Sequence, residues 1–256
     1  MSATNLTQLT IDGDVVTLTL HRPPANLLDI ALIEELNERL LSLRERSDLK
    51  VLVLRGAGGT FSDGFDNADH THDRVQRMIQ VFVRVFEILR MMPVITVAAV
   101  DRRAWGAGFE LALGCNLLVA GETATFALPQ IRAGLIPPVA AAILPRVAPR
   151  RRAMEWILTG NLISARRLEH DGVVNRLLAE EHFDAQLAGF LSELTDKSGP
   201  VLQLARRAQF EAYYATFQQA LSSIQSLYLR ELMELEDARE GPATLMEGRK
   251  PDWRNR

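Results

Sequence analysis

Apolar and polar positions alternate in two stretches near the N-terminus, Leu6 to Asp12 and Val15 to Leu20. They predict a pair of strands joined through Asp12, Gly13 and Asp14. After the turn-forming Arg22 to Asn26 the period lengthens. From Asp29, the residues Ile30, Ile33, Leu36, Leu40 and Leu43 fall on one face of a helix with charges on the other. Val51 to Leu54 predicts a short buried strand, and Arg55 to Thr60 a glycine-rich connection. Helical spacing returns over Arg74 to Met91, where Val75, Met78, Ile79, Phe82, Val85, Phe86 and Leu89 share a face. Pro93 to Val100 is a nearly unbroken β-branched run, the pattern of a strand buried on both sides. Hairpin, helix, strand, helix, strand is the order of an α/β layered fold.

Past that strand the pattern breaks in a way that suggests chemistry. Asp101, Arg102 and Arg103 end it, Ala104 to Gly108 form a turn, and an apolar helix is expected from Phe109. Gly106 and Gly108 let backbone approach a ligand and leave helix N–H groups unpaired, which suits an anion or an oxygen that becomes one. A dinucleotide loop would need a third glycine where Leu111 stands, and no Gly-Lys-Ser/Thr tripeptide occurs anywhere. The run from Gly56 to Gly59 fails likewise, because Phe61 follows. Glu110 lies in the first turn of the expected helix. It either complements the helix dipole or moves a proton beside a carbonyl whose oxygen those N–H groups hold. Phe61 to Asp66 is a second turn-rich segment with N–H groups free to bind. Asp69 to Asp73 looks like a metal cluster, but His70 and His72, two apart, have no third ligand at a recognised spacing, so the segment is expected to form a polar loop, with no metal.

The second half reads as mainly helical. Pro149 opens a helix to Leu158 from its first position, Thr159 and Gly160 stop it, and Ser164 caps Ala165 to His170. Val173 to Leu178 is a last strand, followed by helices at Phe183 to Leu194, Pro200 to Tyr214 and Phe217 to Arg239. Across 256 residues, 47% are hydrophobic and 24% charged, enough for a large core. A net charge of −3 gives no pull toward nucleic acid or an anionic membrane, and neither is an expected partner. Cys115 is the single cysteine, which excludes an intramolecular disulfide and fits a reducing compartment. The start MSATNLTQLTIDGD shows no secretory pattern and no run is long enough to span a bilayer, so the expected location is cytoplasmic.

Four segments, FSDGFDNADH, PVITVAAVDRRAWGAGFELALGCNLLVA, TATFALPQIRAGLIPPVAAAILPR and ILTGNLISARRLEHDGVVNRLL, together resemble the crotonase (enoyl-CoA hydratase/isomerase) superfamily over nearly the whole chain. FDNADH, GFELALGC, IPPVAA and REGPATLMEGRKPDW are most similar to its cyclohexa-1,5-dienecarbonyl-CoA hydratases. The resemblance implies an α/β fold: a ββα spiral core over residues 1–195 and a helical trimerisation segment over 196–256, assembling a homotrimer or homohexamer. It implies an acyl-CoA thioester substrate, with coenzyme A as part of that substrate and no separate cofactor. Backbone N–H groups of Phe65 and Ala107 would hold the thioester oxygen. Most relatives have glycine at the second position, so the methyl of Ala107 is expected to narrow the approach.

Glu110 matches the first of two glutamates that hydratases use on water. The second, in F-G-x-P-E, reads Phe126, Ala127, Leu128, Pro129, Gln130, so its carboxylate is replaced by an amide that cannot shuttle protons. Ala25, Leu27, Ser62, Gly64, Asp66, Gly106, Pro129 and Lys250 would line the coenzyme A and substrate path. Trp105, Phe109, Ile136, Pro137, Pro138 and Val139 would wall the acyl group. Hydration or dehydration of an enoyl-CoA or cyclic dienoyl-CoA is the expected reaction. The alternatives are a one-glutamate enoyl-CoA isomerase and a non-catalytic coenzyme A- or RNA-binding relative.

Overall fold

The structure, a computed structural model, describes residues 5–256. Its chain repeats one unit: a strand in a large sheet, a short strand in a small sheet, then a helix. The opening hairpin pairs β1 (Thr7–Asp12) with β2 (Val15–Leu20), antiparallel and in the register Thr7 opposite Leu20. Helix α1 (Ile30–Leu43) starts where the Asp29 carboxylate accepts from Leu32 N at 2.8 Å, an N-cap that supplies one orphan donor of the first turn. The repeating units are β3 (Val51–Gly56), β4 (Thr60–Ser62) and α2 (Val75–Met91), then β5 (Ile95–Val100), β6 (Arg103–Trp105) and α3 (Ala107–Leu113). The third is β7 (Leu117–Gly121), β8 (Thr125–Ala127) and α4 (Ala140–Val147). Then come α5 (Arg150–Thr159), β9 (Ile163–Ser164), α6 (Ala165–His170) and β10 (Arg176–Leu178).

The large sheet runs β1-β2-β3-β5-β7-β10, parallel from β2 onward, and the small one β4-β6-β8-β9, with β9 antiparallel. Apolar strands fit this arrangement because both faces of the central ones are covered: every residue of β5 is buried. The main core packs α1 and α2 and the inner faces of the sheets. A second cluster joins Val51, Val53 and Val97 to Phe183 and Leu187 of α7 (Phe183–Thr195). The chain closes with α8 (Gly199–Tyr214), α9 (Phe217–Arg230) and α10 (Glu236–Glu247).

Several elements differ from expectation. The last helix was expected to run from Phe217 to Arg239; it breaks after Arg230, and α10 follows a short turn at Leu232–Glu234. The new start is held from the tail: Glu236 N donates to the Arg256 carbonyl at 2.9 Å, and the buried Asp237 carboxylate accepts from Arg254 N and Asn255 N. Strand β10 begins at Arg176 rather than Val173, because the N–H groups of Val173 and Val174 close α6 on the Leu168 carbonyl. Pro149 is the residue before α5, not its first. Helix α3 begins at Ala107, two residues early, since Gly106 alone makes the turn.

Candidate active site

Two loops from different repeats meet at the head of α3. After β4, the chain passes Asp63 N to the Ala25 carbonyl (2.9 Å), and the Ser62 hydroxyl accepts from Gly64 N (3.1 Å). Leu28 N donates to the Gly64 carbonyl at 2.8 Å and Asp66 N to the Leu28 carbonyl at 3.0 Å, so the bridge uses the neighbours of Phe65 and leaves its N–H on the opposite edge. Gly64 has φ 108°, and a Cβ there would lie 3.4 Å from Ala107 N. A Cβ on Gly108 would lie 2.3 Å from the Ser62 carbonyl, so helix head and loop touch backbone to backbone. Among the described residues, neither Phe65 N–H nor Ala107 N–H has a hydrogen-bond partner. Ala107 itself is buried in the main core.

Glu110, one turn into α3, is fully buried. Its Oε1 accepts from Val139 N (2.7 Å) and Ala140 N (2.8 Å), the free amides that open α4. Its Oε2 accepts from Gln130 Nε2 at 3.0 Å. Among the described residues no cation stands beside it, and burial pushes its pKa up to about 7 against the pull of those three donors. Gln130 sits in the short helical turn Pro129–Ala133, 3.7 Å from where a Cβ on Gly106 would be. Its Oε1 is buried without a partner among the described residues. The structure thus gathers Gly64, Phe65, Gly106, Ala107, Glu110, Pro129 and Gln130 at one point. That places a buried carboxylate beside two unused main-chain donors.

A family model described as enoyl-CoA hydratase/isomerase matches residues 10–256. The chain belongs to the enoyl-CoA hydratase/isomerase family. It is 33% identical to a carnitinyl-CoA dehydratase of Escherichia coli over 97% of this chain and 98% of that one. It is 30% identical to a cyclohexa-1,5-dienecarbonyl-CoA hydratase of Thauera aromatica, over 96% and 95% of the two chains. Among solved structures, an enoyl-CoA hydratase of Mycobacterium smegmatis superposes with a TM-score of 0.92 at 27% identity, covering 97% of this chain and 98% of that one. These matches carry the α/β spiral fold and the helical C-terminal segment.

Within this family member the other expected residues lie in several places. Ala25, Leu27, Ser62 and Asp66 lie on or beside the first loop, where Asp66 caps Ala68 N and pairs with Arg22 at 2.9 Å. Those two contacts, the Ala68 bond first, hold the Asp66 carboxyl below its usual range. Trp105 borders the second loop, its Nε1 donating to the Thr125 hydroxyl (3.3 Å) under the Arg103 guanidinium. Ile136 is exposed, while Pro137 and Val139 are buried and Pro138 half-buried beside Glu110. Phe109 is not a pocket wall: fully buried, it packs against Phe126 at 5.0 Å between centroids, because its place on α3 faces the sheets. Lys250 is not brought to this cluster within the chain. It is exposed on a tail that folds back on α10 and on Asp196.

Sequence reasoning missed the amides of Val139 and Ala140, which no side-chain pattern announces; the Pro137-Pro138 pair before them is the only signal that a helix opens there. It also missed His70 as a neighbour of Phe65, edge-on at 5.6 Å, with a buried Nδ1 that has no partner among the described residues. Asp69 is a structural group, accepting from Ile30 N at 2.7 Å and pairing with Arg74.

Proposed function

We propose that this chain is a lyase that adds water to an enoyl-CoA, or removes it in reverse, through a thioester enolate, and that a cyclic dienoyl-CoA of the cyclohexadienecarbonyl type is its substrate class. One observation carries this: a lone buried carboxylate titrating near neutrality, beside two main-chain donors with nothing to bind. Phe65 N–H and Ala107 N–H would donate to the thioester oxygen; removing one such donor costs about 3–4 kcal/mol of transition-state stabilisation. Glu110, ionised, takes a proton from water as the hydroxide oxygen bonds to the alkene carbon, and the electron pair of the double bond moves toward the thioester oxygen. The protonated Glu110 then returns that proton to the carbon next to the thioester. One group serves both steps, because Gln130 can orient water through its unpartnered Oε1 but cannot transfer a proton.

Ala25, Leu27, Ser62, Gly64, Asp66, Trp105, Gly106 and Pro129 would line the coenzyme A and acyl path. The relatives named carnitinyl-CoA dehydratase and cyclohexa-1,5-dienecarbonyl-CoA hydratase both handle water at an acyl-CoA by name, which supports the class. Residues 196–256 would build a homotrimer or homohexamer, with Lys250 reaching a neighbour's coenzyme A. Phe217, Leu245 and Met246, 78%, 86% and 90% exposed, support such an interface.

A second reading, a double-bond isomerase, is favoured by the amide at Gln130, since isomerisation needs a single proton carrier. Incubation with linear and cyclic enoyl-CoAs in ¹⁸O-labelled water separates the two. Mass spectrometry should show labelled hydroxyacyl-CoA. A shifted double bond without label would establish the isomerase, and full turnover by Glu110→Gln would end both.

A further inference from the structure

At the far end of α3 from Glu110 lies a cavity of about 640 Å³, between the C-terminal ends of α2 and α4 and the face of α8. Phe86, Leu113, Ile143 and Phe210 supply its apolar walls. Three arginines line it, Arg90, Arg146 and Arg206, and no aspartate or glutamate does, in a chain whose acidic residues outnumber its basic ones by 32 to 29. None of the three meets a carboxylate among the described residues. Arg90 lies over the Tyr214 ring, and Arg146 donates to the Ala142 carbonyl. Arg206 donates Nη2 to the carbonyls of Leu89 (3.0 Å) and Arg90 (2.8 Å) and Nε to Asn116 Oδ1 (3.0 Å), which leaves Nη1 over.

The asparagines of this wall are oriented by the sheet. Asn116 Oδ1 accepts from Thr96 N at 2.9 Å, and Asn175 Oδ1 accepts from Leu118 N at 2.8 Å. With both amide oxygens consumed at the starts of β5 and β7, each side chain keeps its Nδ2 donor without a partner among the described residues. The sheet side of the cavity therefore offers spare donors, Arg206 Nη1 and the Nδ2 groups of Asn116 and Asn175, at the foot of an apolar chamber whose other polar lining residues are Arg90, Arg146, Gln209, Tyr213 and Tyr214. An acceptor-only headgroup with an apolar tail satisfies both halves, and a carboxylate provides the lone pairs that these donors lack.

From this we infer that the cavity is a binding site for a free carboxylic acid with an aliphatic or aromatic tail, distinct from the thioester site. Its volume lies in the range of small-molecule pockets. The acid enters between Arg146 and the Tyr213–Tyr214 pair, where Tyr213 OH bonds the Arg146 carbonyl at 3.0 Å, and its carboxylate reaches Arg206, Asn116 and Asn175.

Calorimetric titration of the full chain with octanoate, octanol and acetate tests this. Octanoate should bind saturably at one site per chain, at least about tenfold more tightly than octanol, and acetate should give no saturable heat. Arg206→Gln, which keeps donors but loses the charge, should weaken octanoate about tenfold. Ala205→Trp fills the chamber from an exposed position on α8, so the fold tolerates it, and it should abolish binding. The proposal is overturned if octanoate gives no saturable heat (as when a second copy covers the cavity), if octanol binds as tightly, or if Ala205→Trp leaves octanoate unaffected.

Discussion

Glu110 and Arg206 are mirror images in charge. Each is taken out of water near one end of α3, and neither meets an opposite charge among the described residues. The carboxylate is held by the free amides opening α4, the guanidinium by the last carbonyls of α2. In both places a helix terminus stands where a counter-ion would be expected, supplying about half an elementary charge of the right sign. The difference lies in what is left over. Glu110 is fully buried, its Oε2 holds the Gln130 amide, and burial pushes its pKa up to about 7. Arg206 is half-buried beside unpartnered donors, and burial merely pulls its pKa below the ordinary value. A base needs a shifted proton equilibrium; a binding post needs a permanent charge.

Replacing Glu110 should break the comparison most sharply. Glu110→Gln is expected to lower turnover by about a thousandfold or more, read from initial rates of enoyl-CoA hydration. Stability should move the other way. The folded pKa, about 7, lies above the ordinary 4.5, so the folded state keeps a proton that the unfolded chain releases between those values. Stability therefore falls as pH rises through that window, by about 3 kcal/mol in all, and the loss is complete above pH 7. Urea midpoints of the native protein should be higher at pH 5 than at pH 8 in this respect, and Glu110→Gln should lack that difference.

The same equilibrium sets the rate. Activity should rise about tenfold per pH unit below 7 and level off above it, measured as kcat/KM from acid to alkaline buffer. Gln130→Ala is expected to slow turnover by only about tenfold, because orientation of water is lost but the proton carrier remains. The smallest effect should come from the other charge: Arg206→Met should cost about 2 kcal/mol in urea denaturation by leaving the Arg90 carbonyl of α2 unpaired, with turnover unchanged.

Long periodic segments were legible from the sequence alone. Ile30 to Leu43, Val75 to Met91 and Ile95 to Val100 announced their elements because burial repeats over several turns or faces. Strands β4, β6 and β8 have three residues each, too short for a period, and α4 hides a helix behind Pro145. Glu110 and Gln130 were named by their motif, yet the pinning of Glu110 by α4 was invisible, because backbone amides have no letter. Arg206 left no trace for a related reason: beside Arg207 on α8 it looks like any solvated arginine.

The Gln130 side chain has one further consequence. A primary amide is two-faced, with a hydrogen to give on one edge and a lone pair to receive on the other, and a half-turn about its last bond exchanges them. In the structure the giving edge faces Glu110 and the receiving edge is idle, the arrangement that an ionised carboxylate favours. Once Glu110 takes up a proton, the idle oxygen becomes the fitting neighbour. The amide can therefore follow each proton movement by rotating in place, a freedom that a second carboxylate would not have.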